Sequence, residues 1–125
     1  MYRLKWEDQL YVVLEGKFLF ELEGKRHVMG PGDALFAPRG AWHTYLVTEG
    51  DPARYLMIGM PGTYAEFYMQ AISVPAERNE VPGKEFVPLP MEVIHRVAMA
   101  AGLELVGPRL ADSLRAEAAV KAEAQ

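Results

Sequence analysis

The sequence predicts an all-β barrel or sandwich followed by a short helical extension, and three observations carry that expectation. From Leu10 to Gly59 the apolar residues fall in short runs with a period near two. Gly, Pro and Asp break those runs roughly every ten residues, the rhythm of short strands joined by turns. After Pro61-Gly62 the period changes to three and four, which is helical spacing. A chain of 125 residues supplies one domain with a real core and not two.

Taken in order, Leu10-Tyr11-Val12-Val13-Leu14 is a run of β-formers, and Glu15-Gly16 after it is a hairpin-turn candidate. Lys17 to Glu23 alternates, with Phe18, Phe20 and Leu22 on one face and Lys17, Glu21 and Glu23 on the other. Glu23-Gly24-Lys25 is a second turn, leading into Arg26 to Met29, and Gly30-Pro31-Gly32-Asp33 is a third. Asp33 to Ala37 is a short strand stopped by Pro38-Arg39-Gly40. Trp42 to Thr48 and Arg54 to Gly59 are two more, joined through Glu49-Gly50-Asp51-Pro52. Residues 1–62 thus read as the barrel core, and 63–125 as a helical and irregular extension of the same domain.

In that extension Tyr64, Phe67, Tyr68 and Ala71 repeat at helical intervals behind Thr63, a candidate N-cap. Ser73 to Pro90 holds four prolines and reads as an irregular excursion. Val93, Ile94, Val97 and Ala98 mark a helix from Met91 to Ala101, with Gly102 as its C-cap. Leu103 to Val106 suits a strand, and the Ala- and Glu-rich tail from Arg109 suits a helix.

Composition narrows the chemistry. Thirteen Lys and Arg against 17 Asp and Glu give a net charge of −4, which is no dense basic surface for nucleic acid. The absence of cysteine excludes a disulfide framework, a thiolate nucleophile and Cys-ligated metal. His27, His43 and His95 are the whole imidazole supply. No stretch approaches the ~20 apolar residues of a membrane span, and Met1 to Asp8 has no apolar leader region. A soluble, cytoplasmic protein without nucleic-acid or membrane partners is expected.

The most specific segment is Gly32-Asp33-Ala34-Leu35-Phe36-Ala37-Pro38-Arg39-Gly40-Ala41-Trp42-His43, followed by Val47 where a final Asn would stand. It resembles the second motif of the cupin superfamily, and Gln9 to Gly16 is similar to the end of the first. The resemblance, looser through Pro61 to Phe67 and towards Gly107-Pro108, is to small single-domain, quercetin dioxygenase-like cupins. It implies a double-stranded β-helix, or jelly-roll barrel, with the C-terminal helices packed outside.

In metal-binding cupins the first motif supplies two His and one Glu, and the second motif one His. By family spacing the Glu position falls on Gln9, and the His pair on Tyr2 and Leu4 or on Arg3 and Lys5. Only His43 is a retained ligand, and one imidazole holds a divalent ion poorly. No resident cofactor is therefore expected, with Fe, Mn, Ni or Zn the metals of the alternative.

With period two, His43, Tyr45 and Val47 share a strand face. If that face points inward, an imidazole and a phenol enter an apolar pocket lined by Tyr11, Phe18, Phe20 and Phe36. The plain alternative makes His43 a barrel histidine satisfied by a carbonyl, and the aromatics simple core. Glu7 and Asp8 read either as a solvated acidic turn or as displaced ligands. His27 reads as a surface or rim residue, His95 as the flank of a helix, and the methionines as adaptable packing.

The leading expectation is a small-molecule-binding cupin without a competent metal site and without assigned catalysis. The first alternative is a metal-dependent oxygenase or isomerase whose first-motif ligands lie outside this chain start. The second is a structural oligomerisation module with a vestigial pocket. Because the pattern begins almost inside the first motif, unpaired strand edges are expected, and with them a homodimer or higher oligomer sharing strands.

Overall fold

The computed structural model describes residues 1–125, except the side chain of Asp51. Six strands form one sheet: β1 (Tyr2–Leu4), β2 (Asp8–Leu22), β3 (Lys25–Met29), β4 (Ala34–Ala37), β5 (His43–Met60) and β6 (Leu103–Leu105). A π-helical turn (Tyr64–Met69) runs into α1 (Gln70–Ile72), followed by α2 (Met91–Ala100) and α3 (Leu110–Glu123). The strand order is β3-β2-β5-β1-β6, with β4 also on β2. This is the expected fold class, β-rich with C-terminal helices.

The backbone of the molecule is a long antiparallel ribbon. β2 pairs with β5 from Asp8↔Met60 at one end to Leu22↔His43 at the other. Two turns expected from the sequence lie inside this ribbon. Glu15-Gly16 does not reverse the chain, and Glu49 to Pro52 does not separate two strands; the register shifts there instead, between Val13 and Phe18. Gly16 and Gly50 take φ of +79° and +115°. A Cβ on Gly16 would sit 2.6 Å from the Glu49 carbonyl oxygen, and one on Gly50 would sit 2.7 Å from the Gly16 Cα. The glycines mark a bulge where two backbones touch, not a turn.

At that bulge the ribbon folds across itself. The first half of β2 pairs with β4, Leu10↔Phe36 and Tyr11↔Leu35, and the second half with β3, Phe18↔Met29 and Phe20↔His27. The halves meet in one core of Tyr11, Val13, Phe18, Phe20, Met29, Leu35 and Ala37, with Tyr45, Tyr55 and Met57 against it. Ring contacts cross between them, Tyr11 to Phe20 at 5.2 Å and Phe18 to Tyr55 at 5.6 Å. True reversals fall at Glu23-Gly24, with φ of 48° and 79°, and at Gly30 to Asp33, where the Asp33 carboxylate accepts from the Gly30 N–H at 2.8 Å.

Two positions expected in the interior lie elsewhere. Leu35 and Ala37 are the inward members of β4, so the alternation turns Phe36 outward beside Leu10, and it is 50% exposed. Val47 pairs with buried Phe18 but is itself exposed.

The extension returns to the sheet through β6, antiparallel to β1 with Tyr2↔Leu105 and Leu4↔Leu103. A second core of Leu4, Tyr68, Ala98, Ala101 and Leu103 holds it there. Gly102, at φ +74°, ends α2 where a Cβ would strike the Trp6 ring. Thr63 makes no capping bond; the Glu7 carboxylate accepts the Tyr64 N–H at 2.6 Å instead. Glu7 is therefore buried and not part of a solvated turn. Its neighbour Asp8 is tied to Arg39 at 3.1 Å.

Candidate functional site

Four side chains from three strands converge inside the barrel: Tyr2 of β1, Gln9 and Tyr11 of β2, and His43 of β5. Tyr2 reaches the cluster because it is the ladder partner of His43, with ring centroids 4.3 Å apart. Gln9 and Tyr11 are two residues apart and so share the inward face of β2. Gln9, Tyr11 and His43 are essentially inaccessible to solvent.

The hydrogen bonds fix the roles. The Ala41 carbonyl can only accept, so His43 donates its Nδ1–H across 2.9 Å. Nε2 of the neutral ring is then a lone pair. It faces the Tyr11 hydroxyl at 3.2 Å and the Gln9 Oε1 at 3.1 Å. Tyr11 also donates to Gln9 Oε1 at 2.7 Å, and its hydroxyl is bonded to that of Tyr2. The Gln9 Nε2 is buried without a partner. Turning the amide over sets its N–H groups against the imidazole lone pair and leaves the carbonyl oxygen unpartnered instead. One amide polar atom is orphaned in either orientation, at about 1–3 kcal/mol.

Tyr45 and Tyr55 are half-buried beside this cluster, hydroxyl to hydroxyl at 2.7 Å. Burial pushes the phenols of Tyr2, Tyr11 and Tyr55 far above their ordinary range, and that of Tyr64 up to about 12. All four stay neutral hydroxyls at physiological pH. Burial likewise holds the His43 imidazole below its ordinary 6.5, against the raising effect of the Ala41 carbonyl. The unfolded chain takes up this proton near 6.5 and the native chain only at lower pH. Stability should therefore fall as pH drops from 6.5 towards 5 and stay level above it. Urea unfolding across that window checks this: His43→Gln should flatten the slope, and an unchanged slope would assign it elsewhere.

Of the residues expected at a pocket, Tyr11, Phe18, Phe20 and His43 are brought together and Tyr45 joins them from the rim; Phe36 and Val47 do not. Tyr2, Gln9 and Tyr55 were not among the expected lining residues. Tyr2 and Gln9 nevertheless stand at the positions where the resemblance places metal ligands. An open groove of about 420 Å³ lies outside the barrel, between α2 and β6, beside Lys5, His95 and Met99.

The residues present do not fit a divalent metal. Neutral phenols, an amide and one imidazole contribute no negative charge. Leu4, at the remaining position, packs in the second core, while Arg3 and Lys5 are paired with Glu104. His27 and His95 are exposed. Among the described residues no three His, Cys, Asp or Glu side chains gather to hold an ion.

A small folded-over antiparallel sheet with an outer helical extension and a polar buried cluster defines a compact β-barrel domain. Residues 5–59, somewhat under half of the chain, match the family described as Cupin domain. Three solved structures are similar over 46% of it: KdgF from a Halomonas species at 31% identity and TM-score 0.42, TT1209 from Thermus thermophilus at 29% and 0.39, and an RmlC-like cupin from Shewanella frigidimarina at 23% and 0.40. The similarity covers 51%, 54% and 49% of those chains, so this chain spans about half their length. None of the curated proteins matches it. Among the described residues no helix is long and apolar enough to cross a membrane.

Proposed function

We propose that this chain binds a small hydroxyl-bearing molecule through the Tyr2–Gln9–Tyr11–His43 cluster, without a resident metal ion and without a catalytic role for His43. The orphaned Gln9 amide is the observation that carries the reading. In one orientation it offers N–H donors and in the other a carbonyl acceptor, and a hydroxyl group satisfies either. Tyr2 is the half-buried member of the cluster, Tyr45 and Tyr55 lie half-buried beside it, and a phenol hydroxyl both donates and accepts. Aromatic walls with a few convergent polar groups are the general form of such a site. The uncharged donor set supports the metal-free half of the reading.

Thermal shift and calorimetric titration with a panel of monosaccharides and polyols at about 10 mM test it. At least one should raise the melting temperature, by roughly 10 °C at a hundredfold excess over Kd, since about 2.7 kcal/mol is then added. Gln9→Leu should abolish the shift while leaving the protein folded. No response to any member of the panel would overturn the reading. Elemental analysis is the second arm: stoichiometric Fe, Mn, Ni or Zn, lost on His43→Ala, would return the chain to the metal-dependent class.

A further inference from the structure

The orphaned amide of Gln9 has a neighbour in the same condition. Glu7 Oε1 is also buried without a hydrogen-bond partner. Glu7 immediately precedes β2 and lies two residues before Gln9, so the alternation brings both side chains to the inner face, and both residues are closed to solvent. Gly59 shows how near they stand. It is the ladder partner of Gln9, and a Cβ built on it would fall on Glu7 Oε1 itself. The Glu7 carboxylate thus occupies the place of a side chain opposite Gln9, and opposite Cβ positions are about 4.5–5.5 Å apart.

Glu7 also lacks a counter-charge. Its other oxygen accepts a single bond, from the Tyr64 N–H at 2.6 Å. The cations nearest in sequence are engaged elsewhere, Arg3 and Lys5 with Glu104 and Arg39 with Asp8. Among the described residues none forms an ion pair with Glu7. A proton on the carboxylate does not remove the deficit, because an O–H at Oε1 finds no acceptor either. A buried carboxylate is strongly destabilising unless a cation pairs with it. Water supplies hydrogen bonds at such a place but no charge. The half-buried Tyr64 adjoins it: burial, then Tyr68, Tyr45 and the Glu7 carboxylate hold its phenol up to about 12. A neutral phenol ring is a favourable neighbour for a cation.

We infer that the hydroxyl-bearing ligand also carries an ammonium group, seated on Glu7 Oε1, with a nearby hydroxyl on the Gln9 amide. Resting on the reading of the Gln9 cluster above, this assigns the ligand to the amino sugars and amino polyols. An ammonium has only donors, which is what the carboxylate oxygen needs, while a hydroxyl meets the amide in either orientation. The two orphaned groups face each other across one ladder pair, a span over which a single sugar ring holds an amine and a hydroxyl. An acidic sugar would set like charges together there and is disfavoured.

Calorimetric titration of the full chain at neutral pH, where a primary amine is protonated, tests this with glucose, galactose and mannose. Each is compared with its amino sugar, its N-acetylated amino sugar and its uronate. At least one amino sugar should bind about tenfold or more tightly than its neutral parent, as a charge-assisted bond provides. N-acetylation removes the ligand's charge and should remove that gain, and the uronate should bind most weakly. Glu7→Gln should bring the amino sugar and its parent to equal affinity, with circular dichroism reporting that the variant is folded. Should it fail to fold, the N-acetyl comparison on the unaltered chain decides. A parent sugar or uronate that binds as tightly as the amino sugar would overturn the inference and leave the hydroxyl-binding reading intact. So would an N-acetylated sugar, or a folded Glu7→Gln variant, that keeps the gain. No binding by any of these compounds would overturn both.

Discussion

Replacing Gly16 by alanine should lower the thermal midpoint by roughly 10 °C. Two penalties add at this residue. Its φ of +79° belongs to the left-handed region, which costs a residue with a Cβ about 1–3 kcal/mol. The new methyl would also stand 2.6 Å from the Glu49 carbonyl oxygen and 3.0 Å from the Ala53 Cβ, so the two strands must part where they now touch. A total near 3 kcal/mol, divided by the unfolding entropy of a chain this size, gives that shift. Gly24 is the matched control. It has the same φ of +79°, and a Cβ added there would meet nothing within 4 Å, so alanine should show the conformational penalty alone. Calorimetry on both variants separates clash from backbone preference, and equal shifts would show that the strand contact contributes nothing.

Tyr11 should be the most sensitive side chain in the barrel. It is fully buried, lies against Phe20, His43, Tyr45 and Tyr55, and its hydroxyl touches three other polar groups. Tyr11→Phe keeps the ring but removes the donor shared by Gln9 Oε1 and the His43 lone pair, at about 2 kcal/mol. Tyr11→Ala also leaves a cavity, which raises the loss to about 4 kcal/mol. Against a total stability of about 5–15 kcal/mol, the alanine variant should lose a large part of its resistance to urea. The difference between the two variants measures packing, and the loss in Tyr11→Phe measures the polar cluster. A Phe variant as stable as the parent would show that the cluster adds no stability.

Much of the barrel is legible in the residue pattern, because period-two alternation follows from the pleat itself. Phe18, Phe20 and Leu22 alternate with Lys17, Glu21 and Glu23 in a way that only a half-buried strand explains. Glycine is the ambiguous letter. Gly24 and Gly16 adopt the same φ, yet one reverses the chain and the other lets a second backbone approach, and only the tertiary pairing separates these uses. Phe36 misleads for a related reason: its hydrophobicity suggests the core, but Leu35 and Ala37 already occupy the inward side of a four-residue strand. In the site, His43 was legible through its motif, and Tyr2 and Gln9 only as the occupants of positions the family uses otherwise. Glu7 gave no local sign, since its partner is a backbone N–H 57 residues away.

The ribbon also sets an order on assembly. Leu22 and His43 are close along the chain, whereas Asp8 and Met60 enclose most of the barrel sequence. Loop closure therefore favours pairing at the near end first, each doubling of the enclosed loop adding only about 0.6 kcal/mol. Pairing must pass the Gly16–Gly50 contact before the far half of β2 can dock. Tyr11 belongs to that far half, where its ladder partner is Met57, while His43 belongs to the near end. Their hydrogen bond spans the fold of the ribbon and forms only when both halves are in place. The polar cluster is thus a latch on completed folding, and a partly zipped chain would hold the near hairpin without it.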